Sequence, residues 1–276
     1  MTNSVHTNAS AAIALQNLTR TNDRLTDVQN RISTGLKIQG AKDNAAIWAI
    51  AQGQRADIGA LSAVKQSLDR ATSIVDVALS SGESISDMLN QLKEKVVAAK
   101  DTSLKSQARE LLNADFAAIL RSIQSAVENA EFDGGNILDG TLSGGLQFLA
   151  NADASSFITL SAKDLTLSGA ILSLSTTDSL LTASGAATAL TRLDDSIIAL
   201  NSALGDLGAQ ARQISAHNTF VSKLTDTLES GIGNLVDADL AKESARLQAL
   251  QVQQQLGAQA LSIANQAPQI ILSLFQ

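Results

Sequence analysis

The sequence predicts a mainly α protein: long antiparallel helices in coiled-coil-like bundles, a small β-rich insert near the middle, and N- and C-termini that pair in one domain. Three observations predict it. Apolar side chains recur at three- and four-residue steps at both ends of the 276-residue chain, which is the period of one helix face. The chain is 45% hydrophobic but only 3% aromatic, and it has a single proline, Pro268. Much of that apolar content is alanine, which suits thin helix-on-helix packing and uninterrupted helices better than a thick globular core. The third observation is a change of texture after Asp133, where period-two runs rich in Ser and Thr replace the helical pattern.

The first helix is expected over about Thr7 to Thr34, with Ala11, Leu15, Leu18, Leu25, Val28, Ile32 and Leu36 on its stripe and Asn22 on the stripe's edge. Gly35 ends it, because glycine takes the left-handed C′ conformation without steric cost. An extended joint then runs to Lys42, and Asp43 or Asn44 caps a very long helix reaching about Lys100. Ile50, Leu61, Val64, Leu68, Ile74, Val75, Leu79, Ile85, Leu89, Leu92 and Val96 define its buried side, and Trp48 is expected in the core. Gly53, Gly59 and Gly82 each weaken such a helix by about 1 kcal/mol relative to alanine. A further helix is expected from Leu104 to Asn129.

Asp133, Gly134, Gly135 and Asn136 signal a turn. Alternation at Leu146 and Phe148, across Phe157 to Leu160, and at Leu165 and Leu167 predicts short strands. Roughly a third of residues 141–191 are Ser or Thr, so the insert reads as small and exposed. Helical spacing returns near Ala187 and lasts to Gly231 and Gly233, which are expected to form a second joint.

The last helix places Val236, Leu240, Leu247, Leu250, Leu256, Ala260 and Ile263 on one stripe, with Asp237 and Asp239 at its start as cap and first-turn anion. Such a stripe cannot be buried by its own helix, since local side-chain pairs contribute only about 0.3 kcal/mol each. The domains expected are therefore residues 1–43 with 232–276, residues 44–136 with 187–231, and the insert at 137–186.

Charge and composition exclude several function classes. Net charge is −7, which disfavours general nucleic-acid binding. Residues 1–42 carry five bases against two acids, read as a solvated helix face. Cysteine is absent and only His6 and His217 are present, so thiolate chemistry and multi-histidine metal sites are not expected. No HExxH pattern occurs, Gly140 to Gly145 lacks the lysine of a phosphate loop, and Asp194 and Asp195 point apart on a helix. No catalytic residue, cofactor or metal is expected. A secretory signal peptide and a bilayer-spanning apolar run are likewise not visible.

Two stretches go beyond periodicity. RISTGLKIQGAKDNAAIWAIA (Arg31 to Ala51) and GIGNLVDADLAKESARLQALQVQQQLGAQALSIANQAPQ (Gly231 to Gln269) resemble the paired terminal signatures of bacterial flagellins, especially small ones with almost no outer domain. The resemblance implies a structural subunit that polymerises into the flagellar filament, with a terminal-helix domain inside, a helical domain around it and the insert outside. It implies a polymerisation stripe of Leu15, Leu18, Leu25, Val28, Ile32, Leu240, Leu247, Leu250, Leu256 and Ile263, with joints at Gly35, Gly231 and Gly233. It further implies termini that fold on polymerisation, export through the flagellar type III channel with a secretion chaperone, an extracellular location, a homopolymer possibly mixed with sibling flagellins, and cap and junction proteins as partners. The alternative within the same resemblance is a hook–filament junction protein. Ile270 and the final Gln276 depart from the family, which commonly has a small or polar residue and a basic residue at those places.

Overall fold

A computed structural model describes residues 7–273, with side chains to residue 266; His6, Ile270 and Gln276 therefore fall outside what can be compared. The chain order is α1 (Ala9–Thr34), α2 (Ala41–Ala99), α3 (Ser106–Glu128), β1 (Leu146–Leu149), β2 (Phe157–Leu160), α4 (Ala183–Val236) and α5 (Leu240–Ser273). Compactness divides it into two units, Met1–Ala56 with Thr227–Gln276, and Asp57–Asp226.

In the second unit, α2, α3 and α4 pack side by side. Leu68, Ile74, Val75, Ile85, Leu89 and Leu92 of α2, Phe116, Leu120 and Ile123 of α3, and Leu193, Leu200, Leu207 and Ile214 of α4 are all buried, while Ser81 Oγ donates to the Ala126 carbonyl, Lys95 pairs with Asp115 and Lys93 with Asp194 across the helices. Gly82 shows why a glycine is kept in α2. A Cβ there would come within 2.4 Å of Leu204 Cδ2, so α2 and α4 approach closely at that level. Arg109 closes the end of α2: its guanidinium donates to the Ala99 and Asp101 carbonyls and is 8% exposed, satisfying carbonyls that a helix C-terminus leaves free.

The insert differs from expectation in its strands. Only β1 and β2 form a sheet, antiparallel with Leu146 opposite Leu160; Leu167 makes an isolated bridge to Leu172 and no third strand follows. The segment 137–186 lies within Asp57–Asp226, and its Ile137, Leu138, Leu160, Leu165, Leu172, Leu174 and Leu180 are buried. Polar ties hold it to the helices. Asn136 Nδ2 donates to the Val127 carbonyl at 2.8 Å, Leu180 N to Asn113 Oδ1 at 2.7 Å, and His217 Nε2 lies 2.7 Å from the Ala150 carbonyl. Asp133 and Gly134 both have positive φ, 50° and 77°, the backbone a two-residue turn between Phe132 and Gly135 requires. Arg70 Nε pins that turn, 2.9 Å from Asp133 Oδ2.

In the first unit, Asn44 rather than Asp43 caps the long part of α2. It sits at φ −161°, ψ 101° and its Oδ1 accepts from Ile47 N at 3.1 Å, whereas Asp43 accepts from the Gln39 and Gly40 amides before it. Trp48 is half-exposed rather than core and Ile50 is 54% exposed. The second joint also moves. Gly231 and Gly233 lie inside α4, which continues to Val236, and the helical break falls at Asp237–Asp239. Neither glycine has positive φ, so nothing at these positions stops the helix.

Candidate functional site: the paired terminal helices

The two chain ends meet. On α1 the buried and half-buried positions include Ala11, Ala14, Leu18, Thr21, Leu25, Val28 and Ile32, at alternating steps of three and four. On α5 they are Glu243, Leu247, Leu250, Gln254, Gly257, Leu261 and Ala264, at steps of four and three. Each is a heptad seam. Cross-links fix the pairing as antiparallel: Asn8 Nδ2 donates to the Ala264 carbonyl at 2.7 Å, Gln254 Nε2 to Asn22 Oδ1 at 2.8 Å, and Arg31 NH1 lies 3.5 Å from Glu243 Oε1. A Cβ on Gly257 would sit 3.3 Å from Leu18 Cδ1, so glycine here sets the distance between the helices.

The joints pair as well. Gly35 adopts φ 71° and its N–H reaches the Arg31 carbonyl, closing α1 in the left-handed cap expected of it. The Lys37 and Ile38 amides then donate to the Val236 carbonyl at 2.7 and 3.3 Å, and Ala238 N donates to the Gly35 carbonyl at 2.8 Å. Leu36 and Asp237 form an antiparallel bridge, with Ile38 and Val236 buried beside it. Asp239 caps α5, accepting from Ala241 N and Lys242 N, each at 3.1 Å.

Of the ten stripe residues named from sequence, Leu18, Leu25, Val28, Ile32, Leu247 and Leu250 lie in this α1–α5 seam. The other four do not. Leu15 is 54% exposed, Leu240 50%, Leu256 58% and Ile263 69%. The seam also contains residues that an apolar search passes over. Glu243 is 6% exposed, with Arg31 and Arg246 both on its Oε1 and Oε2 without a hydrogen-bond partner among the described residues. Its place in the first turn of α5, opposite Arg31 in the last turn of α1, sets each charge against the helix dipole end that favours it. The signal for it was the heptad itself, which runs unbroken through Glu243, Gln254 and Thr21 once polar residues are admitted. A concavity of about 410 Å³ opens beside this cluster, lined by Arg24, Asp27, Arg31 and Arg246 over Val28 and Leu250. Among the described residues no group of three or more His, Asp or Glu side chains is placed to hold a metal.

The comparisons with known proteins agree with this architecture. A family model described as the bacterial flagellin N-terminal helical region matches residues 5–143, and one described as the C-terminal helical region matches residues 190–275. Flagellin FljJ of Caulobacter vibrioides is 54% identical over 275 residues, covering 99% of this chain and 98% of that protein. The flagellin of Brucella melitensis is 40% identical over 282 residues, covering 99% of each. Among solved structures, a putative flagellar hook-associated protein from Vibrio parahaemolyticus superposes with a TM-score of 0.55 at 12% identity, covering 71% of this chain and 100% of that one; at that identity the likeness shows the fold alone. Matched by both terminal family models and aligned with named flagellins along nearly its whole length, the chain belongs to the bacterial flagellin family.

Proposed function

We propose that this flagellin is a structural subunit that polymerises into the filament of the bacterial flagellum and so serves swimming motility. The observation that carries the reading is the α1–α5 seam, which joins the first and last described helices of the chain and leaves further apolar side chains exposed on the same helices. The hook–filament junction alternative is not favoured, because full-length relatives are flagellins and the hook-associated likeness is one of fold.

The finer reading is of a protein without catalysis. The terminal pair carries the polymerisation contacts, and the subunit acts outside the cell after export through the flagellar apparatus with chaperone, cap and junction proteins as partners. Among the described residues no helix is long and apolar enough to cross a membrane. Five flagellins of one organism, Caulobacter vibrioides, are 50–54% identical to this chain, which supports a filament mixed with siblings. Subunit contacts run head to tail and do not close, giving an open helical fibre.

Electron microscopy and sedimentation of the purified chain test this. Long fibres are expected, and short rings or discs would point to the junction role instead. Leu247→Asp puts an unpaired carboxylate into the seam at a cost of about 3 kcal/mol and should abolish pelleting. A normal fibre yield from that variant would overturn the role given to the seam.

A further inference from the structure

The sequence holds two Asp–Gly pairs, Asp133–Gly134 and Asp139–Gly140. Such a pair can rearrange by itself, because glycine has no Cβ to shield its amide nitrogen from the preceding carboxyl. The nitrogen attacks Cγ of the aspartate, and the amide hydrogen leaves with the carboxyl hydroxyl as water. Water then reopens the five-membered imide at either carbonyl. One opening restores aspartate; the other leaves the backbone running through the side chain, as isoaspartate. Water is the only co-reactant.

The fold treats the two pairs differently. The Asp133 side chain is 64% exposed, and a Cβ on Gly134 would meet nothing within 4 Å. The bonds that close this turn run between Phe132 and Gly135, at 3.1 and 2.9 Å, so the Gly134 N–H lies outside them. Asp133 also sits at φ 50°, a left-handed conformation that strains any residue with a Cβ and that isoaspartate no longer has to adopt. Asp139 is held instead: its Oδ1 accepts from the Thr141 amide at 3.0 Å and from the Thr141 hydroxyl at 2.8 Å. A Cβ on Gly140 would lie 2.9 Å from Asp164 Cγ. That neighbouring carboxylate crowds the Gly140 nitrogen and opposes the negative charge it gains on losing its proton.

We propose that Asp133–Gly134 is a site of spontaneous isoaspartate formation and that Arg70 restrains it. One guanidinium grips both the side chain and the backbone of Asp133: Nε lies 2.9 Å from Oδ2, and NH2 donates to the Asp133 carbonyl at 3.2 Å. The carbonyl oxygen and the Gly134 nitrogen flank the same carbon, so a carboxylate held on the oxygen side is kept from the nitrogen. Both partners are exposed, and an exposed pair opens readily. Arg70 is thus a positioning residue whose release permits ring closure. The product adds a methylene to a two-residue turn that ties α3 to the insert, beside buried Asn136 and its bond to the Val127 carbonyl. Ageing of the chain therefore begins at this turn.

The full chain and its Arg70→Gln variant are incubated at neutral pH. A protease that cleaves before aspartate but not before isoaspartate, with mass spectrometry, locates the product. In the folded parent isoaspartate is expected at Asp133 well ahead of Asp139, whereas in urea the two should react alike. Arg70→Gln should speed the reaction at Asp133 by about two- to fivefold, the factor by which loss of an exposed ion pair enlarges the released fraction, and leave Asp139 unchanged. Equal accumulation at both positions in the folded parent, or none at Asp133, overturns the site. An unchanged rate at Asp133 in folded Arg70→Gln overturns the restraint. If that variant unfolds, seen as both rates reaching their urea values, the parent in about 1 M salt decides, since salt screens the exposed pair. A rise at Asp133 alone then supports the restraint, and no rise overturns it.

Discussion

Glu243 carries more of the terminal pair than its single negative charge suggests. One oxygen serves both Arg31 at 3.5 Å and Arg246 at 3.1 Å, yet both arginines are partly solvated, so the pair is worth less than a buried one. Glu243→Ala should lower the stability of the α1–α5 pair by about 1 kcal/mol, read as a lower midpoint of thermal depolymerisation; an unchanged midpoint would show the cluster to be neutral. Gly145 makes a sharper demand. At φ 72° its added Cβ would lie 2.3 Å from the Leu160 carbonyl oxygen, so Gly145→Ala should destabilise the β1–β2 hairpin by about 1–3 kcal/mol, visible as a drop in the thermal unfolding midpoint. Asp101, in the turn between α2 and α3, accepts first from the Ser103 amide and then from its hydroxyl, which holds its carboxyl below the ordinary value. A depressed carboxylate contributes stability that is present above its unfolded pKa and lost as pH falls through the folded one. Asp101→Asn should therefore be less stable than the parent at neutral pH, with the difference shrinking as the pH is taken down through the acid range, checked by a series of denaturant midpoints.

Among the elements, α4 gives the clearest lesson in what a sequence discloses. Gly231 and Gly233 look like a break by composition, yet the helix runs through them and stops at Asp237. What ends α4 is non-local: the Val236 carbonyl turns to the Lys37 and Ile38 amides, more than half a chain away in sequence. Gly231→Ala meets nothing within 4 Å and should stabilise α4 by about 0.5–1 kcal/mol; destabilisation in a urea series would restore the joint to Gly231. The helices α1, α2 and α5 were legible because period and caps are local, as Gly35 and Asp239 show. The face of each helix was only partly legible. A broad apolar arc over α5 admits Leu250 and Leu256 alike, and only the partner's position decides which is covered. Trp48 and Ile50 were misplaced for the same reason, and Leu167 has one bridge, to Leu172, where a third strand needs a run of paired residues.

Over the whole molecule, charge is unevenly shared. Residues 57–226 hold 12 bases and 20 acids, a net of −8, while the remaining residues come to +1. Bringing copies together sets these acidic units near one another. Raising ionic strength from about 10 mM to 150 mM shortens the screening length from about 30 to 8 Å and should speed fibre growth followed by light scattering; slower growth would mean that charge attraction dominates. The seam has another consequence, in time. Between Thr34, where α1 ends, and Glu243, where its partner seam begins, lie 208 residues. At synthesis speeds of about 5–20 residues per second, the opening helix waits roughly 10–40 s for the segment that covers it. Throughout that interval its greasy edge is open to whatever else is nearby, so the newborn chain is at greatest hazard of clumping before α5 has been made.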